Sequence, residues 1–149
     1  MLKSALIVLI LLTPMQSKKS ASKTSESVVK VTAKAEPPAA DGTQKVTLAV
    51  KIDNDYHIYA NPVGNPDLDS AKTVLSFTGT DDAKIEYPKG KSVPDKVVGD
   101  YIVYEKEITI TAKIKRKSGA AVEANLKCQA CNEKSCLPIA TIKTKVEMP

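Results

Sequence analysis

An all-β sandwich of immunoglobulin type is the fold this sequence predicts, on three observations. From about residue 27 onward, apolar residues recur with period two. The apolar runs are short, about eight in number, and Gly, Pro, Asn or Asp interrupts each of them. After the N-terminal apolar run no stretch carries a convincing helical period. The absence of tryptophan and of a distant cysteine pair separates the chain from true antibody domains.

The sequence has 149 residues, 42% of them hydrophobic, which suffices for one core and falls short of two ordinary domains. Residues 1–16 read as a secretory signal or an uncleaved N-terminal tether. Lys3 supplies a positive charge and Ala5 to Leu12 form an unbroken apolar run, too short for the roughly 20 residues of a stable span. No clear small-x-small cleavage site follows, and no cysteine lies near enough for a lipid anchor. Nothing later is apolar enough to cross a membrane, so the body of the chain is expected to be exported, in a compartment that permits disulfides. Residues 17–26, rich in Ser, Lys and Thr, read as a polar spacer, and 27–149 as the domain. Of the net charge of +5, Lys3, Lys18, Lys19 and Lys23 precede the domain. The remaining charge alternates along strands without a basic stripe, which excludes nucleic acid as a partner.

Val29, Val31, Ala33 and Ala35 share one face of a first strand, with Lys30, Thr32 and Lys34 on the other; Pro37-Pro38 and Asp41-Gly42 end it. Val46, Leu48, Val50 and Ile52 form the inward face of a second, half-buried antiparallel strand. After the Asp53-Asn54-Asp55 turn comes Tyr56 to Ala60, aromatic and short, and then a loop from Asn61 to Asp69 punctuated by Pro62, Gly64 and Pro66. Val74 to Phe77 and Ala83 to Tyr87 are further strands, and Pro88 to Gly99 is irregular. A long strand is expected from Tyr101 to Lys115, with Ile102, Tyr104, Ile108, Ile110, Ala112 and Ile114 on one side. Ser118-Gly119 turns into Val122 to Leu126, which leads directly to the cysteines, and Ile139 to Val146 is the last strand.

Chemistry is concentrated in Lys127 to Pro138, which holds all three cysteines. If the preceding strand keeps its register, Cys128 points into the core with Ala124 and Leu126, as a small hydrophobe. Cys131 and Cys136 flank Asn132-Glu133-Lys134-Ser135, a polar tetrapeptide suited to a turn, so their side chains can approach each other. A bridge across so short a loop removes little entropy from the unfolded chain and is a weak staple, which favours a bridge that is made and broken. Cys128-Gln129-Ala130-Cys131 also has Cys-x-x-Cys spacing, but no β-α-β pattern or helix N-terminus surrounds it. Three readings of the residues stand side by side: a redox-active pair, a static disulfide, and a zinc or cuprous-ion module built from Cys128, Cys131, Cys136 and His57.

The run Gln129-Ala130-Cys131-Asn132-Glu133-Lys134-Ser135-Cys136-Leu137-Pro138, late in an all-β domain, resembles the N-terminal periplasmic domain of the DsbD thiol:disulfide interchange family. Asp53 to Tyr59, and Tyr87-Pro88-Lys89-Gly90 through Tyr104, are similar to the same family. The resemblance implies an immunoglobulin-like fold without a cofactor, whose Cys131 and Cys136 cycle between dithiol and disulfide. Cys136 would exchange with partners and Cys131 would resolve the mixed disulfide. His57 and Tyr59 fall where the family places two tyrosines, and Asp95 where it places an acidic neighbour. Val97 and Val98 stand in the loop where the family carries an aromatic cap, and Cys128 replaces a tyrosine. Implied partners are thioredoxin-like domains, among them disulfide isomerases and thioredoxins of cytochrome c maturation, with a separate membrane electron-transfer protein as donor. The resemblance covers the chain from about residue 28 onward.

Overall fold

A computed structural model describes residues 23–149. The N-terminal signal or tether, and most of the polar spacer, lie outside the described residues. Eleven strands follow in order: β1 (Val29–Ala35), β2 (Thr43–Ile52), β3 (His57–Tyr59), β4 (Val74–Thr78), β5 (Thr80–Glu86), β6 (Lys91–Val93), β7 (Tyr101–Glu105), β8 (Glu107–Arg116), β9 (Glu123–Cys128), β10 (Ala130–Cys131) and β11 (Ala140–Glu147). Two short 3-10 helices, Ser25–Ser27 and Pro66–Ala71, are the only helical segments among the described residues, and neither is long and apolar enough to cross a membrane.

Seven strands form one hydrogen-bonded ribbon in the order β4-β9-β11-β1-β2-β8-β5, and four form a smaller sheet in the order β10-β3-β7-β6. All pairings are antiparallel except β1 with β11, a two-residue parallel seam at Ala33 with Val146 and Lys34 with Glu147. The ribbon's two edge strands, β4 and β5, are separated in sequence by Gly79 alone, so the ribbon must curl until its edges meet. Inward residues of both halves, Leu48, Val50 and Ile110 on one and Ala124, Leu126 and Ile142 on the other, then enter a single apolar cluster with Ile58, Tyr104 and Ala130 of the small sheet. The all-β, immunoglobulin-like architecture expected from the period-two pattern is the one observed.

Three strands were not foreseen as such, each for a local reason. Tyr101 to Lys115 is two strands, because Lys106 adopts a left-handed φ of 62° and redirects the chain from the small sheet to the ribbon. The even-numbered apolar pattern runs through this break unaltered, which hides it. Lys91–Val93, within the expected irregular segment, pairs with β7 through Lys91 to Val103 and Val93 to Tyr101. β10 is only two residues long, too short to carry a period. The expected loop after Asn61 also contains a 3-10 turn, capped by Asn65, whose side chain accepts from the Asp67 N–H at 3.0 Å.

Candidate functional site

The cysteine segment lies where the chain leaves the ribbon for the small sheet. β9 carries Ala124, Leu126 and Cys128 inward, all essentially without exposure. Two residues later β10 pairs with β3, Ala130 with Ile58 and Cys131 with His57. Beyond it the chain reverses and Cys136 returns opposite Cys131. Asn132 builds the reversal: its side-chain carbonyl accepts from the N–H groups of Lys134 and Ser135, both at 2.9 Å, and its own N–H donates to the Ser135 carbonyl at 2.9 Å. The Leu137 N–H donates to the Ala130 carbonyl at 2.8 Å, and the Gln129 amide donates to the Leu137 carbonyl at 3.2 Å. Cys131 and Cys136 are thus held with Cα atoms 4.0 Å apart and are joined in a disulfide.

Ser25 fixes this hairpin to the body of the domain. Its hydroxyl donates to the Pro138 carbonyl at 2.7 Å and accepts from the Ala130 N–H at 2.9 Å, so one side chain clamps both arms. Composition assigns Ser25 to the spacer, yet it is fully buried, and the packed domain therefore takes in residues before 27. Nothing in a Ser/Lys/Thr-rich run distinguishes this serine from its neighbours. Ser25→Ala strands the Ala130 N–H in a buried position and is expected to destabilise the chain by about 1–3 kcal/mol, read as a lower urea midpoint with an unchanged slope.

The two sulfurs are unequal. Cys131 is 2% exposed, whereas Cys136 stands on the exposed return arm. The Tyr59 hydroxyl lies 3.7 Å from Cys131 Sγ and 4.0 Å from Cys136 Sγ. Burial, and then the neighbouring Tyr101, raises the Tyr59 pKa, so the hydroxyl keeps its proton. A disulfide sulfur has none, which makes Tyr59 the donor and the sulfurs weak acceptors. The Tyr101 ring meets Tyr59 edge-on at 5.7 Å. Sequence reasoning missed Tyr101; strand parity with Glu105 is the signal that could have placed it on this face.

His57 occupies the middle of a lateral row across three strands, with Cys131 on one side and Glu105 on the other. Its ring stands edge-on to Tyr59 at 6.1 Å. Lys91 from β6 holds Glu105 at 3.0 Å. Burial lowers the His57 pKa, Glu105 opposes that shift, and Lys91 adds to it. This outer face of the small sheet opens into a cavity of about 820 Å³, walled by His57, Tyr101, Glu105 and the inter-cysteine residues Asn132, Glu133 and Lys134.

Other expected site residues lie differently. The Asp95 carboxylate accepts from the N–H groups of Val97 at 2.7 Å and Val98 at 3.0 Å, bonds that hold its pKa low. It caps its own loop, and no described hydrogen bond joins it to a cysteine. The buried Asn65 amide donates to the Val98 carbonyl at 2.7 Å and ties this loop down. Held so, Val97 is 93% exposed and Val98 47% exposed, and Val97 packs against little of the domain. Cys128 is free and buried, and burial alone pushes its thiol up to about 12. A thiol so protonated is a poor nucleophile. The metal reading finds no support: two of its sulfurs are bonded to each other and the third faces the core, and no group of three metal-ligating side chains gathers among the described residues.

A local disulfide with one buried and one exposed sulfur is thus carried at a sheet-to-sheet crossing of an immunoglobulin-like domain, with no thioredoxin fold around it. The chain belongs to the family described as Thiol:disulfide interchange protein DsbD, N-terminal, which matches residues 25–147. Among solved structures, the N-terminal periplasmic domain of ScsB from Proteus mirabilis is similar at 17% identity and a TM-score of 0.62, over 91% of this chain and 49% of that one. This chain therefore spans about half the length of that structure. The Neisseria meningitidis DsbD N-terminal domain in its reduced form is similar at 18% identity and a TM-score of 0.54, over 83% of this chain and 86% of that one. A structure of the complex between the DsbD N-terminal and PilB N-terminal domains from Neisseria meningitidis is similar at 19% identity and a TM-score of 0.53, over 76% of this chain and 80% of that one. At these identities the structures speak for the fold. No curated protein matches the chain by sequence.

Proposed function

We propose that the chain is a periplasmic carrier of reducing equivalents in which Cys136 exchanges with partners and Cys131 resolves the mixed disulfide. The observation that carries this assignment is the asymmetry across the bridge: Cys131 is 2% exposed while Cys136 faces solvent. Exchange requires a thiolate to approach a disulfide sulfur in line, and access decides which sulfur is attacked. A partner thiolate reaching Cys136 breaks the bridge and releases Cys131; the reverse sequence reduces a partner disulfide.

The partners in this proposal are thioredoxin-like domains, with electrons supplied through a membrane electron-transfer protein. The related DsbD domain complexed with a PilB domain supports a protein partner. The test is the equilibrium reduction potential of the full chain, by mass-shift alkylation in thioredoxin or glutathione buffers. A carrier is expected at about −270 to −180 mV, with one alkylatable thiol after denaturation when oxidised and three when reduced. A bridge below about −300 mV that resists thioredoxin means a static staple.

A further inference from the structure

Resting on the carrier reading above, we propose that His57 is the general base for the resolving thiol, taking the proton from Cys131 when Cys131 attacks the mixed disulfide on Cys136. Directly opposed residues of an antiparallel pair leave the sheet on the same face, with Cβ atoms roughly 4.5–5.5 Å apart. Cys131 and His57 are such a pair, and His57 and Glu105 are the next one. Thiol, imidazole and carboxylate therefore stand in one row, and the imidazole and carboxylate line a cavity that admits solvent. His57 is the chain's one histidine, placed beside the covered sulfur of the pair, since Cys131 is 2% exposed while Cys136 is exposed.

In the forward step the Cys131 S–H proton passes to the imidazole and Cys131 Sγ bonds to Cys136 Sγ. The bond from Cys136 to the partner sulfur breaks, and the partner leaves as a thiolate carrying the two electrons. The imidazolium then gives its proton to water in the cavity. In reverse, a partner thiolate attacks Cys136 and the imidazolium protonates the departing Cys131 sulfur. A base must be neutral to act. Burial of His57 favours that form at neutral pH.

The charges around the imidazole set its working range. Glu105 and Tyr101 face it from β7, Lys91 from β6, Tyr59 from its own strand, and Cys131 from β10. Asp55, Lys106, Glu133 and Lys134 line the same cavity from the loops. Glu105 raises the His57 pKa and Lys91 lowers it, so neutralising each in turn moves the titration in opposite directions while leaving His57 in place.

The experiment is stopped-flow oxidation of the reduced full chain by dithionitrobenzoate, which releases one coloured thiolate when Cys136 forms the mixed disulfide and a second when Cys131 resolves it. In the wild type the second release is expected to rise with pH to a plateau through an inflection below 6.5. In His57→Gln it is expected to slow by about 10-fold or more near pH 7 and to lose that inflection, while the first release stays within about twofold. Glu105→Gln is expected to move the inflection down and Lys91→Met to move it up, and both hold even if His57→Gln folds poorly. Equal second-phase rates and pH profiles in the wild type and all three variants overturn the base assignment while the carrier reading stands. Release of a single equivalent by the wild type removes the carrier reading, and this proposal with it.

Discussion

Cys136→Ser is expected to abolish thiol-disulfide exchange, and Cys131→Ser to leave the chain covalently trapped on its partner. The difference follows from access. Without Cys136 the one remaining site sulfur, Cys131, is 2% exposed and belongs to the inner arm of the hairpin that Ser25 clamps, where no partner disulfide reaches it in line. Without Cys131 the exposed Cys136 still attacks, but no thiol of this chain displaces the partner from the mixed disulfide. Cys128 does not substitute, because it is buried in the ribbon's core with its thiol pushed up to about 12. Intact mass after mixing each reduced variant with a thioredoxin-class protein that keeps only its exposed cysteine, activated as the thionitrobenzoate mixed disulfide, reads the result directly: Cys136 displaces thionitrobenzoate, and no second partner thiol is present to reverse the bond. The Cys131→Ser sample should show the summed mass and the Cys136→Ser sample only the two separate masses. Equal trapping by both variants contradicts the assigned roles.

Gly79→Ala is expected to cost the fold more than any other single glycine replacement in a turn. Gly79 alone joins β4 to β5, the two edges of the curled ribbon, and has φ of 76°. A side chain in that left-handed region costs roughly 1–2 kcal/mol. Here, in addition, a Cβ would collide with the Ala121 carbonyl on the backbone leading into β9. The combined loss is expected to exceed about 2 kcal/mol, lowering the urea midpoint by on the order of 1 M. Gly42 and Gly119 provide the comparison, since both have positive φ but open space around them. Their alanine variants should lose only the conformational part, about 1 kcal/mol. If all three variants fall equally, the collision at Gly79 is relieved by backbone movement.

The period-two rows of β1, β2, β8, β9 and β11 were legible because each presents one face to the core and one to water, and a residue's parity then reports its burial. The inward position of Cys128 followed from that rule alone. The turn that opposes Cys131 and Cys136 was legible as well, since Asn132 at the head of a polar tetrapeptide closes its own backbone. Parity fails on the small sheet, where Val103 and Tyr104 are consecutive and both buried, because the core covers one face and the cysteine site the other. It also fails at Lys106, where a single left-handed residue moves the chain between sheets without disturbing the apolar pattern.

By itself, the sequence determined an all-β domain, a buried Cys128 and a local cysteine pair across a turn, because these depend on residue type, short-range spacing and strand parity. Tertiary structure alone decided that Cys131 is covered while Cys136 is open, that Ser25 clamps the hairpin from more than a hundred residues away, and that Tyr101, Glu105 and Lys91 face His57. It also turned Asp95 toward its own loop and Val97 toward solvent. Those outcomes depend on which strands become neighbours, and pairing between distant segments leaves no periodic mark on either of them.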